Sequence, residues 1–184
     1  MSRVFFSTPL PLPCGWACVV HSEGRLVSVE WEMTRERLLE GLDEGYPGAS
    51  AVEPGETEAG KSLHGYAEGE ILPVRRIEAL PFAWERVKGF RRAVLRETIR
   101  VPYGKTVTYG ELAARAGSSG AARAAGASLA ENPWPILVPC HRIVGRGGRL
   151  VGFGKGIEAK EILLRFERGD SPQRNRCLIK RQNV

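Results

Sequence analysis

Soft and imidazole ligands are scarce in this chain, whose 184 residues hold 4 Cys, 3 His and 2 Met. The scarcity argues against a disulfide-stapled scaffold or a cysteine-rich metal fold. Cys14, Cys18, His21 and His64 are the one grouping that zinc would need. If residues 15–20 form a strand, Cys14 and Cys18 share a face about 13 Å apart, which argues against one shared ion. No metal and no cofactor is expected. A run of 18 apolar residues is also missing, and Pro9, Pro11 and Pro13 interrupt the apolar start. Neither a membrane-spanning helix nor a secretory leader is therefore expected, and the chain reads as cytoplasmic. Lysine is scarce beside arginine, 6 against 21. That excess suits phosphate and base contacts, and a G+C-rich or heat-adapted genome would produce it too.

Hydrophobic residues make up 42% and charged residues 26%, the composition of a soluble globular protein. The length suits one ordinary domain, or a small one joined to a larger. Charge is divided unevenly: residues 1–84 carry 13 Asp/Glu against 7 Lys/Arg, and residues 85–184 carry 8 against 20. A basic half gathers polyanions, so nucleic acid is the first candidate partner. Residues 15–20 and 25–31 read as a β-hairpin, followed by a short helix with Thr34 as N-cap. Residues 43–62, rich in Gly, Glu and Pro, read as a long surface loop. A boundary near residues 73–81 divides a supporting part, 1–80, from a second part, 81–184.

In the second part, residues 83–100 have the apolar spacing of an amphipathic helix. Thr108 with Glu111 three residues on forms a capping box and Gly117 a stop, so 108–117 predicts a helix. Residues 121–130 predict another, ended by Asn132-Pro133, and the pair makes a helix-turn-helix unit. Apart from Arg123 and Leu129 the second helix is nearly all Ala, Gly and Ser. That suits close packing in the core, or approach to a narrow minor groove with Arg123 long enough to enter the base stack. Cys177 lies in a basic stretch, 174–181, that reads as exposed.

Ile136-Leu137-Val138 is an apolar run consistent with a buried strand, ended by Pro139, which puts Cys140 at the floor of a cleft. A free cysteine is more often an inert buried hydrophobe than a nucleophile. The neighbours change that weighing: His141 next in the chain, Arg142 after it, and a Gly-rich loop downstream. Over residues 87–168 the sequence resembles the O6-alkylguanine-DNA alkyltransferase family. The motifs are Pro-Tyr-Gly-Lys at 102–105, Thr-Tyr-Gly at 108–110, Ala-Ala-Arg-Ala at 121–124, Asn-Pro-Trp-Pro-Ile-Leu-Val-Pro-Cys-His-Arg at 132–142, and Lys-Glu-Ile-Leu-Leu-Arg-Phe-Glu at 160–167.

The resemblance implies a two-part α/β fold: a small N-terminal β-sheet with a helix, then a mostly helical domain with the helix-turn-helix and the active-site cysteine. It implies DNA repair by direct reversal, in a methylated-DNA–protein-cysteine methyltransferase that acts once. Cys140 would accept the alkyl group irreversibly, with His141 as base through a water, Glu167 orienting His141, and Asn132 bracing the turn before the cysteine. Tyr109 would stand beside the flipped nucleotide, with Gly110 next to it at the DNA. Arg123 would fill the vacated space in the stack. Arg146 is a further candidate DNA contact, as are Arg91, Arg92 and Arg96. Pro135, Ile143, Phe153 and Gly154 are expected to line the substrate pocket. The implied partner is double-stranded DNA containing O6-alkylguanine, with O4-alkylthymine left open, and the protein is expected to be a monomer. One departure stands out: the family's aromatic hydroxyl and serine are missing at Phe153 and Gly154, which leaves the loop's backbone N–H groups as donors to the leaving oxygen.

The chemistry supports these roles apart from the resemblance. Displacement at an alkyl carbon needs a thiolate, so a base must take the thiol proton. A histidine within reach can do so, and a carboxylate on its other nitrogen holds the tautomer. Adjacent residues of an extended strand face opposite ways, so bringing His141 to that task requires a special turn. Taken alone, Glu167 would read as an exposed helix residue. A base inside a duplex must be rotated out of the stack before it can reach a buried thiol. A non-catalytic relative would lack the cysteine, and a helix-turn-helix regulator would need base-reading side chains that 121–130 lacks. A cysteine hydrolase would need a substrate site other than the DNA-like one.

Overall fold

The chain begins with β1 (Val4–Ser7) and β2 (Leu10–Pro11), then turns through the expected hairpin, β3 (Trp16–Ser22) and β4 (Arg25–Glu32). The computed structural model describes residues 4–170, so Cys177 and the basic stretch 174–181 lie outside the described residues. β3 is the centre of the sheet. β4 pairs antiparallel along one side of it, while β1 and β2 share the other side, with Phe5 opposite His21 and Leu10 opposite Ala17. Strand alternation sends Ala17 and Val19 into the main core and Cys18 and Val20 to the other face. There α1 (Arg35–Gly45) covers them with Leu38 and Leu42. Thr34 starts that helix, its hydroxyl accepting the Arg37 N–H at 3.3 Å.

Residues 43–62 are more ordered than their composition suggests. They contain β5 (Ser50–Val52), parallel to β1, and the first turns of α2 (Glu58–Ala67). The Thr57 hydroxyl caps α2 by accepting the Gly60 N–H at 2.9 Å, and Ala59, Leu63 and Tyr66 form its buried stripe. An apolar stripe of three residues among Gly and Glu is too sparse to read as a helix until the sheet it packs on is known.

After α3 (Val74–Glu78), the expected helix at 83–100 divides into a 3-10 turn, Trp84–Arg86, and α4 (Gly89–Ile99). The break falls at Gly89, with φ +56°, a conformation open to glycine. Arg92 closes it by donating to the Val87 carbonyl at 2.7 Å and to that of Trp84. Next come β6 (Val107–Thr108), α5 (Tyr109–Arg115) and α6 (Ala122–Ala130). The Thr108–Glu111 capping box forms in both directions, and Gly117 beyond α5 has φ +86°.

The run 136–138 is not a strand. It is a chain of turns in which Ile136 has φ +71° and the Val138 N–H donates to the Trp134 carbonyl at 2.7 Å. Asn132 organises these turns, donating to the Val138 carbonyl at 2.8 Å and accepting the Trp134 N–H at 3.0 Å. Pro133, Pro135 and Pro139 have no N–H for a ladder. The strand comes after the cysteine instead, as β7 (Ile143–Val144), parallel to β6. α7 (Ile157–Arg168) closes the described chain and stops at Gly169, φ +76°.

β4 meets the later half of the chain along its length. Leu26 N–H donates to the Pro81 carbonyl, Val29 N–H to that of Pro133 (both 2.8 Å), and Trp134 Nε1–H to that of Leu26 at 3.0 Å. One apolar cluster runs from Val19, Trp31 and Leu63 through Leu95 and Leu112 to Trp134 and Leu163. The resulting architecture is a small N-terminal sheet with helices, followed by a mostly helical part, as the sequence implied.

Candidate active site

Cys140 opens a 3-10 turn, Cys140–Arg142, placed directly after the Asn132-braced turns. A 3-10 turn advances about 120° per residue, which lets Cys140 and His141 be buried in different directions without the alternation of a strand. Cys140 lies on the wall of an apolar cavity of about 530 Å³. α6 contributes Ala122, Gly126, Leu129 and Ala130, Tyr109 stands at the start of α5, and residues 151–154 form the remaining wall. The small residues of α6 therefore line a cavity. A Cβ added at Gly126 would lie 3.6 Å from the Tyr109 ring. The Tyr109 hydroxyl donates to the carbonyls of Gly152 at 3.0 Å and Val151 at 3.2 Å, tying this helix start to the loop.

Behind Cys140 lies a polar cluster centred on Glu167, which is only 6% exposed. Its Oε1 accepts from His141 Nε2–H at 2.6 Å, from Tyr66 OH at 3.1 Å and from Arg142 Nη2 at 3.0 Å. Its Oε2 accepts from Arg142 Nε at 2.9 Å and from the Gly104 N–H at 2.9 Å. Gly104 has φ +70°, and a Cβ there would lie 3.1 Å from the Glu167 carbonyl oxygen. The Pro-Tyr-Gly-Lys turn thus brings a backbone donor to the carboxylate. Arg142 uses its remaining arm on the Val101 carbonyl at 2.7 Å.

Burial alone would raise the Glu167 carboxyl, but the hydrogen bonds and charges of His141 and Arg142 outweigh it and bring it down to about 2. Burial lowers the His141 imidazole below 6.5 by more than Glu167 raises it, so at neutral pH Arg142 is the lasting cation of the cluster. An ionised carboxylate only accepts, so Nε2 carries the imidazole proton and Nδ1 the lone pair. Nδ1 is buried without a protein hydrogen-bond partner.

Lys160, fully buried on α7, donates through Nζ to the carbonyls of Ile143 at 2.5 Å and Val151 at 2.9 Å. It lies over the rings of Tyr109 and Phe153, at 5.6 and 5.9 Å. Burial lowers its ammonium to about 8, partly offset by Cys140. For the Cys140 thiol burial is again the largest influence and raises it. The Asn132 side chain, the Lys160 charge and the backbone N–H groups of Cys140 and His141 all act the other way.

Residues 89–169 match the family model described as the DNA-binding domain of 6-O-methylguanine DNA methyltransferase. The methylated-DNA–protein-cysteine methyltransferase of Salmonella typhimurium is 38% identical over 167 residues, covering 88% of this chain and 92% of that protein. The chain belongs to the methylated-DNA–protein-cysteine methyltransferase family. The crystal structure of the Mycobacterium tuberculosis O6-methylguanine methyltransferase matches with a TM-score of 0.70 at 30% identity, over 92% of this chain and 96% of that one. The Mycobacterium tuberculosis protein in complex with DNA matches equally, with a TM-score of 0.70 at 29% identity over the same shares. As a member of the family the chain is a DNA-repair methyltransferase, and DNA is its partner.

The residues expected to act together are brought together unevenly. Cys140, Tyr109, Phe153 and Gly154 line the cavity, and His141, Glu167 and Asn132 lie behind or beneath it. Arg123 is exposed on the first turn of α6, next to the cavity residue Ala122. Gly110 and Arg146 are exposed. Pro135 and Ile143 are not among the lining residues: Pro135 lies in the Asn132-braced turns, and Ile143 is buried in β7 opposite Val107. Arg91 pairs with Glu131, Arg92 is used on backbone carbonyls, and Arg96 lies 5.2 Å from the centre of the Trp84 ring, so these three have partners within the protein. Cys14 and Cys18 fall in separate apolar clusters, and the described residues contain no grouping able to hold a metal ion. Sequence reasoning assigns no role to Arg142, Lys160 or Tyr66. For Arg142 and Lys160 the available signal was their place inside the quoted motifs; for Tyr66 there was none.

Proposed function

We propose that Cys140 removes the alkyl group from O6-alkylguanine in double-stranded DNA and keeps it, each molecule acting once. The observation that carries this reading is the placement of Cys140 on an apolar cavity, followed in one turn by a histidine whose Nε2 is engaged by Glu167 and whose Nδ1 is free of protein partners. Nδ1 takes the thiol proton through a water, and the thiolate attacks the alkyl carbon in line. The S–C bond forms as the C–O bond breaks, and the electron pair leaves with the guanine oxygen. The proton held on His141 restores neutrality once it reaches the departing guanine. Phe153 and Gly154 offer no hydroxyl, so backbone N–H groups of the 151–154 loop serve the leaving oxygen. Tyr109 exchanges its loop carbonyls for a ring nitrogen of the base.

The nucleotide enters by rotating out of the duplex, at a cost of about a few kcal/mol, and Arg123 occupies the gap from its exposed position beside the cavity mouth. The basic second half supplies sequence-independent affinity that falls steeply with salt. The protein is proposed to act as a monomer. None of the helices among the described residues is long and apolar enough to cross a membrane; the proposed site of action is the cytoplasm. Incubation with a methylated-guanine duplex should add one methyl group to the peptide containing Cys140, read by intact mass and peptide mapping. Repeated turnover, or modification elsewhere with Cys140 untouched, would sink the reading.

A further inference from the structure

We infer that Tyr66, supplied by α2 in the N-terminal half, is a positioning residue for alkyl transfer, its hydroxyl sharing Glu167 Oε1 with His141 and limiting how strongly that carboxylate draws on the imidazole. The inference rests on the roles proposed above for Cys140 and His141. Tyr66 is buried, 1% exposed, with its ring edge-on to Tyr103 and to His141, at 6.1 and 6.3 Å, and tilted against Phe166 at 5.7 Å. A buried phenol must place its O–H on some acceptor, and here the acceptor is a carboxylate already served by three other groups. A carboxylate oxygen has about two lone-pair sites. Oε1 receives His141, Tyr66 and an Arg142 arm, so these donors compete.

The charged and titratable groups around His141 come from several elements. Glu167 and Lys160 face it from α7, Arg142 from its own turn, which Cys140 opens, and Tyr66 from α2, while Tyr103, after α4, packs on Tyr66 and Arg142. Arg142 and Lys160 both disfavour an imidazolium, and Glu167 is the group that favours it. Whatever draws charge from Glu167 Oε1 therefore tunes His141. Tyr66 suits that task because burial and the nearby Glu167 charge hold its phenol well above 10.0, making it a fixed donor.

Tyr66→Phe keeps the ring and removes the donor, so Glu167 should pull harder on His141. Two readouts follow. In the DNA-free protein, the proton resonance of His141 Nε2–H should move downfield as its hydrogen bond to Glu167 strengthens. In single-turnover methyl transfer from a methylated-guanine duplex, the acid limb of the pH–rate profile should rise by about half a pH unit, roughly a threefold rate loss on that limb. Tyr46→Phe is the control, since Tyr46 donates to a different carboxylate, Glu30, at 2.9 Å, and should leave both readouts in place. An unmoved resonance and superimposable profiles in Tyr66→Phe, whatever its stability, would reduce Tyr66 to packing and overturn the inference. An equal shift in Tyr46→Phe would overturn it as well. Failure of the wild-type protein to alkylate at Cys140 would instead defeat the proposed function, while the resonance would still decide the effect of Tyr66 on His141.

Discussion

Cys18 packs from β3 against α1, and Cys140 lies on the wall of the cavity beside α6; both thiols are buried, and burial raises both. Around Cys18 the next influence also raises it: the charge of Glu30 helps push the thiol up to about 12, opposed by one backbone N–H. Around Cys140 every other influence lowers it, from Asn132, Lys160 and two backbone N–H groups. Burial by itself makes an inert thiol. What sets the Cys140 site apart, and what the proposed nucleophile needs, is donors and a cation aimed at the sulfur. The turns braced by Asn132 and the 3-10 turn after them provide those donors, whereas the regular ladder of β3 spends its N–H groups on neighbouring strands.

Cys140→Ser should abolish alkyl transfer, measured as loss of the mass increment on a methylated-guanine duplex; transfer that persisted would move the chemistry elsewhere. Glu167→Gln should slow single-turnover transfer by roughly a hundredfold and cost about 3 kcal/mol in urea unfolding, because Arg142 then loses its buried counter-charge. The same carboxyl carries a pH signature. Its folded value is depressed from 4.5 to about 2, so its contribution to stability is complete above about pH 4.5 and is lost as pH falls towards 2. Wild-type unfolding midpoints should drop across that window more steeply than those of Glu167→Gln. Lys160→Met removes the cation that faces Cys140 at neutral pH, and should slow both iodoacetamide labelling of Cys140 and alkyl transfer at that pH by about tenfold. The smallest effect belongs to the other thiol: Cys18→Ala should leave transfer within about twofold while costing about 1 kcal/mol of stability through lost packing.

Legibility in the sequence followed the range of the interactions. The capping box at Thr108 and Glu111, the stop at Gly117 and the hairpin of β3 and β4 depend on residues a few positions apart, and each could be read directly. The strand expected at 136–138 does not form, because an apolar run carries no ladder of its own and Asn132, six residues before Val138, holds the Val138 carbonyl. The helix at 58–67 was hidden because its few apolar residues acquire meaning only against β2 and β3. Glu167 could be singled out by resemblance, but nothing local distinguishes it from an exposed helical glutamate.

The amino-acid sequence by itself determined the local grammar of the chain, its charge division and the Pro-Cys-His-Arg run, because caps, turns and covalent neighbours are set within a few residues. Tertiary structure alone decided that Glu167 is buried with Arg142, that Lys160 faces Cys140, and that Tyr66 reaches the same carboxylate from 101 residues away. Those outcomes depend on which polar groups lose water together, and that is settled only when distant elements close on one another.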